Sequence, residues 1–353
     1  MNTDVFYITV PAGIERLLPA VFSALELPSL EVLRTGSGYV ELRSASGGDV
    51  LCDTGIFNNV FRVIKAWPSG KSGFAALVDK LERTIPALGP GPEDRGCTFR
   101  VRYSLANQFC SVDRQLMARA ERCISSSSGL VPDRLNPDVE FWFLIRSEGP
   151  AWFLRLVKPS QKTVPAAAGE LKAGMAKLLC AAAGAAFRAG GSFTEQIRLA
   201  CDPFAGSGAI PAALYSLYPE ARIVAGDLDP EKVEAMRLRF ADTPLEVVCS
   251  DACRLADLND ASVDLIVTDP PWGQWDADIW KDGGRLEDLY KGMVAELCRV
   301  LTFGGVAVVL TGAKKEFEDA FASRNQLKAV EPFRTDLLVN GKKAALYVFR
   351  RCM

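Results

Sequence analysis

The chain has 353 residues, 49% hydrophobic and 24% charged, a balance that excludes a disordered chain and, at roughly 150 residues per domain, predicts about two globular domains. A formal charge of −2 announces no nucleic-acid partner at whole-chain level, and the absence of histidine excludes Ser-His-Asp and Cys-His catalysis and every histidine-dependent zinc site, so no metal is expected. The ten cysteines are scattered without a CxxC pair, no basic segment precedes the apolar start, and the longest apolar run, Leu178 to Phe187, is about half a bilayer span; the protein is expected to stay in the cytoplasm.

In chain order, an extended run Phe6 to Val10 and a helical stretch Ala12 to Leu25 precede short extended runs around Val32 and from Tyr39 to Leu42, split by Gly36 and Gly38. This pattern is a small α+β unit. A strand over Val60 to Trp67 and a helix over Gly73 to Arg83 lead into Pro86 to Gly96, whose prolines and glycines read as a linker. A second α+β unit follows: a strand Thr98 to Leu105, a helix from Asp113 to Ile124, and strands Val139 to Ile145 and Trp152 to Val157 around the turn Glu148-Gly149-Pro150. An alanine-rich helix, Ala166 to Ala186, bridges to a strictly alternating half, so the expected division is 1–160 and 161–353. Strands Ile197 to Asp202, Arg222 to Asp227, Leu245 to Cys249, Val263 to Asp269 and Val306 to Leu310 predict a mostly parallel sheet with helices on both faces. Thr335 to Val339 and Ala344 to Phe349, flanking Asn340-Gly341, predict a closing antiparallel hairpin.

The segment CDPFAGSGAIPAA runs directly from a strand into a helix. Gly206 and Gly208 allow a tight turn and close ligand approach, and the helix start offers unpaired N–H groups. Phosphate binders use such loops too, but the pattern is neither GxGxxG nor GxxxxGK[ST]. Asp227 closes the second strand and Asp251 the third. Either acid alone suits a loop cap; together with Asp202 they line the carboxyl edge, where open α/β sheets bind ligands. The fourth strand ends in Asp269-Pro270-Pro271-Trp272. Two prolines stiffen this backbone, leaving the Asp269 carboxylate and the Pro270 carbonyl as paired acceptors beside a flat aromatic, a set that suits an amino-bearing base. A proline-stiffened turn with a packing tryptophan is the plainer alternative.

DPFAGSG, GDLDP, SDACRL and TDPPWG, in this order, resemble the motifs of Rossmann-fold S-adenosylmethionine-dependent methyltransferases, and DPPW resembles the branch that methylates exocyclic amines of bases or a glutamine amide. Upstream, VFRVIKAW, FRVRYSLANQF and LNPDVEFWFLIRSEGPAWFLRL are similar to the arrangement of a ferredoxin-like unit followed by a THUMP RNA-binding module. Together they resemble the THUMP-containing tRNA guanine-N2 methyltransferases. The resemblance implies an α/β Rossmann-fold methyltransferase domain behind an α+β RNA-binding half. It also implies S-adenosyl-L-methionine as cofactor, RNA and above all tRNA as partner, and, in some relatives, a small activator subunit. Carried over, Asp202, Phe204, Gly206 and Gly208 surround the methionine part of the cofactor, Asp227 holds the ribose hydroxyls and Asp251 the adenine amino group, and Pro203, Ser207, Leu228, Ala252 and Asp269 also line the cofactor site. Asp269, Pro270, Pro271 and Trp272 are then the catalytic group.

Residues 1–160 carry 18 basic and 17 acidic side chains, so that half is not globally basic. Between Arg95 and Arg122, however, six arginines face only Asp113 and Glu121, and Arg100, Arg102, Arg114 and Lys158 are the expected RNA contacts. The alternatives are guanine-N2 or adenine-N6 methylation of ribosomal or small nuclear RNA, and a catalytically inactive RNA-binding scaffold.

Overall fold

The computed structural model describes residues 4–27, 30–84, 97–157, 170–190, 196–273, 285–339 and 341–352. In the N-terminal half, strands β1 (Asp4–Thr9), β2 (Leu30–Gly36), β3 (Tyr39–Ser44), β4 (Asn59–Trp67), β5 (Thr98–Leu105), β6 (Gln108–Phe109), β7 (Val131–Pro132), β8 (Val139–Ile145) and β9 (Ala151–Leu156) form one sheet. Its order is β2-β3-β1-β4-β9-β8-β5-β6, with β7 beside β5. The two α+β units read from the sequence therefore share a continuous sheet, joined where β4 pairs antiparallel with β9 from Phe61↔Leu156 to Trp67↔Ala151. The predicted linker Pro86 to Gly96 lies outside the described residues.

Strand alternation divides this sheet into two faces. One face packs under helices α1 (Leu18–Ala24, entered through a 3-10 turn at Ile14–Leu17), α2 (Gly47–Asp53), α3 (Gly73–Thr84) and α4 (Arg114–Ser128), with Phe6, Ile8 and Leu42 in one core and Phe99, Phe141, Phe153, Leu77 and Ile124 in another. The other face carries Tyr7, Tyr39, Phe61, Trp152 and Leu154. Asp113 caps α4, its carboxylate accepting from the amides of Gln115 and Leu116 at 2.9 Å. Helix α2 escapes a reading by periodicity because its seven residues bury only Leu51.

The C-terminal half begins with helix α5 (Ala173–Ala189), which starts later than the predicted Ala166; residues 166–169 lie outside the described set and Lys172 is already extended. Strands and helices then alternate: β10 (Leu199–Asp202), α6 (Ala209–Leu217), β11 (Arg222–Asp227), α7 (Pro230–Arg239), β12 (Glu246–Cys249), β13 (Val263–Thr268), α8 (Leu286–Val300), β14 (Leu301–Thr311), α9 (Lys314–Ala322), β15 (Leu327–Val339) and β16 (Lys342–Arg351). The sheet order is β12-β11-β10-β13-β14-β16-β15, parallel through β14 and closed by the antiparallel β15–β16 hairpin, as expected. Strand β14 begins five residues before the predicted Val306, because its ladder carries an irregularity past Gly304-Gly305 to reach Val263↔Leu301. Gly341, at φ 81°, turns the hairpin, and Asn340 lies outside the described residues.

Helix α5 is the joint between the halves. Its small side chains let neighbours approach closely, and one core holds Leu18, Val21 and Leu42 of the N-terminal half, Ala176, Leu179 and Ala183 of α5, and Leu265, Val308 and Leu346 of the second sheet. No helix among the described residues is long and apolar enough to cross a membrane.

Candidate active site

The loop after β10 is shaped by two glycines in the left-handed region, Gly206 at φ 53° and Gly208 at φ 86°. Gly208 opens α6, and a Cβ there would sit 2.6 Å from the Phe240 ring, so both backbone angle and space demand glycine. The loop is tied to the neighbouring strand: Gly206 N–H donates to Asp227 Oδ2 at 2.9 Å and Ala205 N–H to the Gly226 carbonyl at 2.8 Å. The other Asp227 oxygen accepts from Asp229 N–H at 3.0 Å. Each oxygen of a carboxylate has two lone pairs, so Asp227 shapes the loop and keeps acceptor capacity for a ligand. Beside it Leu228 is 65% exposed, an apolar surface at the carboxyl edge of the sheet. Asp251 is exposed, its carboxylate accepts from Cys253 N–H at 2.8 Å and its backbone carbonyl from Arg254 N–H at 2.8 Å; Ala252 is buried next to it.

Asp202 is only 1% exposed. Its Oδ1 accepts from Thr268 Oγ1 at 2.8 Å and from Phe204 N–H at 3.2 Å, while its Oδ2 is buried without a hydrogen-bond partner. Burial pushes its carboxyl up to about 8, against the two hydrogen bonds and with the charges of Asp269 and Asp227 adding to the rise. Such a group demands a proton or a cationic donor.

Thr268 also links this acid to the acceptor tetrapeptide, because the next residue is Asp269. Burial raises the Asp269 carboxyl to about 7, opposed by the Trp272 indole N–H, which donates to Oδ1 at 2.8 Å. The indole lies against Gly312, where a Cβ would come within 2.6 Å of the ring. The Pro271 carbonyl accepts from Tyr290 Oη at 3.0 Å, and Tyr290 Oη lies 2.5 Å from Thr311 Oγ1. Among the described residues no donor reaches the Pro270 carbonyl. Thr268, Tyr290 and Thr311 were not singled out in the sequence. Thr268 was discoverable, since it precedes Asp269 on a strand ending at the edge; Tyr290 and Thr311 reach the site only through tertiary packing.

The N-terminal basic residues sit differently. Parallel pairing of β5 with β8 sets Arg100 opposite Glu140 and Arg102 opposite Trp142. Arg100 forms an ion pair with Glu140, Arg102 approaches the same carboxylate at 3.1 Å, and the Trp142 indole donates to it at 2.9 Å. Arg119 is bound by Asp79 and Glu82. Counting acids only between Arg95 and Arg122 thus misses the partners that folding supplies. Arg114 is exposed, without a described partner, and Lys158 lies outside the described residues. Phe109 is 60% exposed, with the Arg102 guanidinium 4.8 Å from its ring centroid and the Trp142 ring 4.9 Å away.

Comparison with known proteins gives this geometry a setting. Residues 169–339 match the family model described as RMKL-like, methyltransferase domain. The human and mouse tRNA (guanine(6)-N(2))-methyltransferases THUMP3 are 31% and 30% identical to the chain over 169 residues, 42% of this chain and 32% of theirs. The chain thus spans about a third of the length of these curated relatives. TrmN from Thermus thermophilus superposes with a TM-score of 0.73 at 20% identity, covering 99% of each chain, and SMU.472, a putative methyltransferase complexed with SAH, with a TM-score of 0.61 at 16% identity, covering 100% of this chain and 99% of the other. These similarities establish the fold of both halves.

Proposed function

We propose that the chain, whose residues 169–339 match the RMKL-like methyltransferase domain model, transfers a methyl group from S-adenosylmethionine to the exocyclic N2 amine of a guanosine in RNA, with tRNA as the substrate. The observation that carries this reading is that one strand end serves both reactants. Thr268 holds the buried Asp202, and its neighbour Asp269 opens the acceptor tetrapeptide.

The residues fit the cofactor. The unpartnered Asp202 Oδ2 suits the cationic methionine end, Asp227 has acceptor capacity for ribose hydroxyls, and exposed Leu228 suits the adenine face, with Asp251 and Ala252 beyond it. When bound, S-adenosylmethionine supplies an electrophilic methyl on a sulfonium. The chain's own part is orientation. Trp272 fixes Asp269 Oδ1, which leaves Oδ2 and the Pro270 carbonyl to accept the two amine N–H groups, so the nitrogen lone pair points outward. As positive charge develops on nitrogen, the Asp269 carboxylate is positioned to stabilise it and, with its proton affinity raised by burial, to take the released proton. The half-buried indole provides a stacking surface for the base.

For the RNA, Arg100 and Arg102, the latter over the exposed Phe109 ring, offer phosphate contacts and a base-stacking surface, and Arg114 at the start of α4 and Lys158 are the further expected contacts. Nucleoside mass spectrometry of tRNA from cells lacking the gene tests the function. N2-methylguanosine should disappear from one position and return with the parent gene but not with Asp269→Ala; an unchanged N2-methylguanosine content, with another methylated nucleoside lost, would contradict it.

A further inference from the structure

A chain of buried hydroxyls stands behind the tetrapeptide. Tyr290 on α8 and Thr311 at the end of β14 are both 0% exposed. A carbonyl only accepts, so the 3.0 Å bond to Pro271 requires Tyr290 to donate there. Its single proton is then used, and at 2.5 Å Thr311 must donate to Tyr290; Thr311 Oγ1 in turn accepts from Ala313 N–H at 2.9 Å. The polarity is fixed throughout, from Ala313 N–H through Thr311 and Tyr290 to the Pro271 carbonyl.

Resting on the methyl-transfer reading, we propose that Tyr290 is a positioning residue: its hydroxyl anchors the Pro271 carbonyl and with it the peptide plane that joins Pro271 to Trp272. Proline stiffness fixes φ at positions 270 and 271 but leaves ψ of Pro271 free. That angle sets where the Trp272 indole begins, and hence whether its N–H reaches Asp269. The tyrosine supplies the constraint that the prolines lack. It touches neither reactant and acts through the tetrapeptide.

The test compares Tyr290→Phe with Thr311→Val and Thr311→Ser. Phenylalanine leaves the Pro271 carbonyl without its donor. Valine leaves a different buried backbone group, Ala313 N–H, without its acceptor, while Tyr290 can still donate to Pro271; the two variants should therefore lose similar stability. In single-turnover methyl transfer with saturating RNA, Tyr290→Phe should fall about tenfold or more, with cofactor affinity within about threefold of the parent. Thr311→Val should stay within about threefold in rate, and Thr311→Ser should match the parent. Independently of activity, hydrogen exchange at the Trp272 indole N–H, which donates to Asp269, should accelerate about tenfold in Tyr290→Phe alone. Parental rate and exchange in Tyr290→Phe, or equal loss in Thr311→Val, would overturn the proposal and leave Tyr290 as core packing. If the parent chain itself transfers no methyl group, the methyl-transfer reading fails and the exchange comparison still decides the clamp.

Discussion

At the carboxyl edge of the second sheet Asp202 keeps one buried oxygen without a donor, whereas on the open face of the first sheet Glu140 is shared by Arg100, Arg102 and the Trp142 indole. The difference separates two ways of preparing a binding surface. The first edge holds an unmet electrostatic demand that a cationic ligand relieves, so single residues there carry large effects. On the first sheet Glu140 already compensates the charges of Arg100 and Arg102, so on the proposed reading an RNA phosphate would exchange with an internal partner, and each substitution there would shift affinity only modestly.

The largest effect is expected at Asp269. Asp269→Ala should lower single-turnover methyl transfer by on the order of 100-fold to 1000-fold while changing cofactor affinity little, because its bond to the amine strengthens in the transition state. Asp227→Ala should weaken S-adenosylmethionine binding by roughly 2–4 kcal/mol in calorimetry, since it loses both the proposed ribose contacts and the Gly206 and Asp229 tethers. An unchanged dissociation constant would remove Asp227 from the site.

Asp202 gives a pH signature. Its folded-state value of about 8 lies above the ordinary carboxylate range, so the stability it contributes is present at low pH and is lost as pH rises through 8. Between pH 6 and 8.5 the cofactor-free parent should lose on the order of 2 kcal/mol more stability than Asp202→Asn, measured from urea midpoints. Equal losses would mean that the carboxylate is solvated after all. The smallest effect belongs to the first sheet. Glu140→Gln should release Arg100 and Arg102, tighten RNA binding a few-fold and steepen its salt dependence by about one unit of log–log slope. No change in slope would place the RNA contact elsewhere.

Much of the second sheet was legible in the sequence because each parallel strand there is a short apolar run ending in a turn residue, and because its candidate ligand groups lie at those ends: Asp202, Asp227, Asp251 and Asp269 each stand at, or within two residues of, the carboxyl end of a strand. The first sheet yielded its longer strands but neither the two-residue β6 and β7 nor its surface. Glu140 lies 40 residues from Arg100, and only the parallel β5–β8 pairing brings them together. The union of two α+β units into one sheet was equally hidden, since β4 and β9 are joined by hydrogen bonds rather than by sequence proximity. Tyr290 was invisible for the same reason: a tyrosine on an amphipathic helix reads as core, and its hydroxyl gains meaning only where α8 meets the Pro271 carbonyl.

The most direct measurement incubates the purified full chain with tRNA and methyl-labelled S-adenosylmethionine, digests the RNA, and identifies the labelled nucleoside by mass spectrometry. The account predicts label in N2-methylguanosine at one position, present with the parent and reduced at least about 100-fold with Asp269→Ala. Label in N6-methyladenosine, or equal labelling by the two chains, would contradict it.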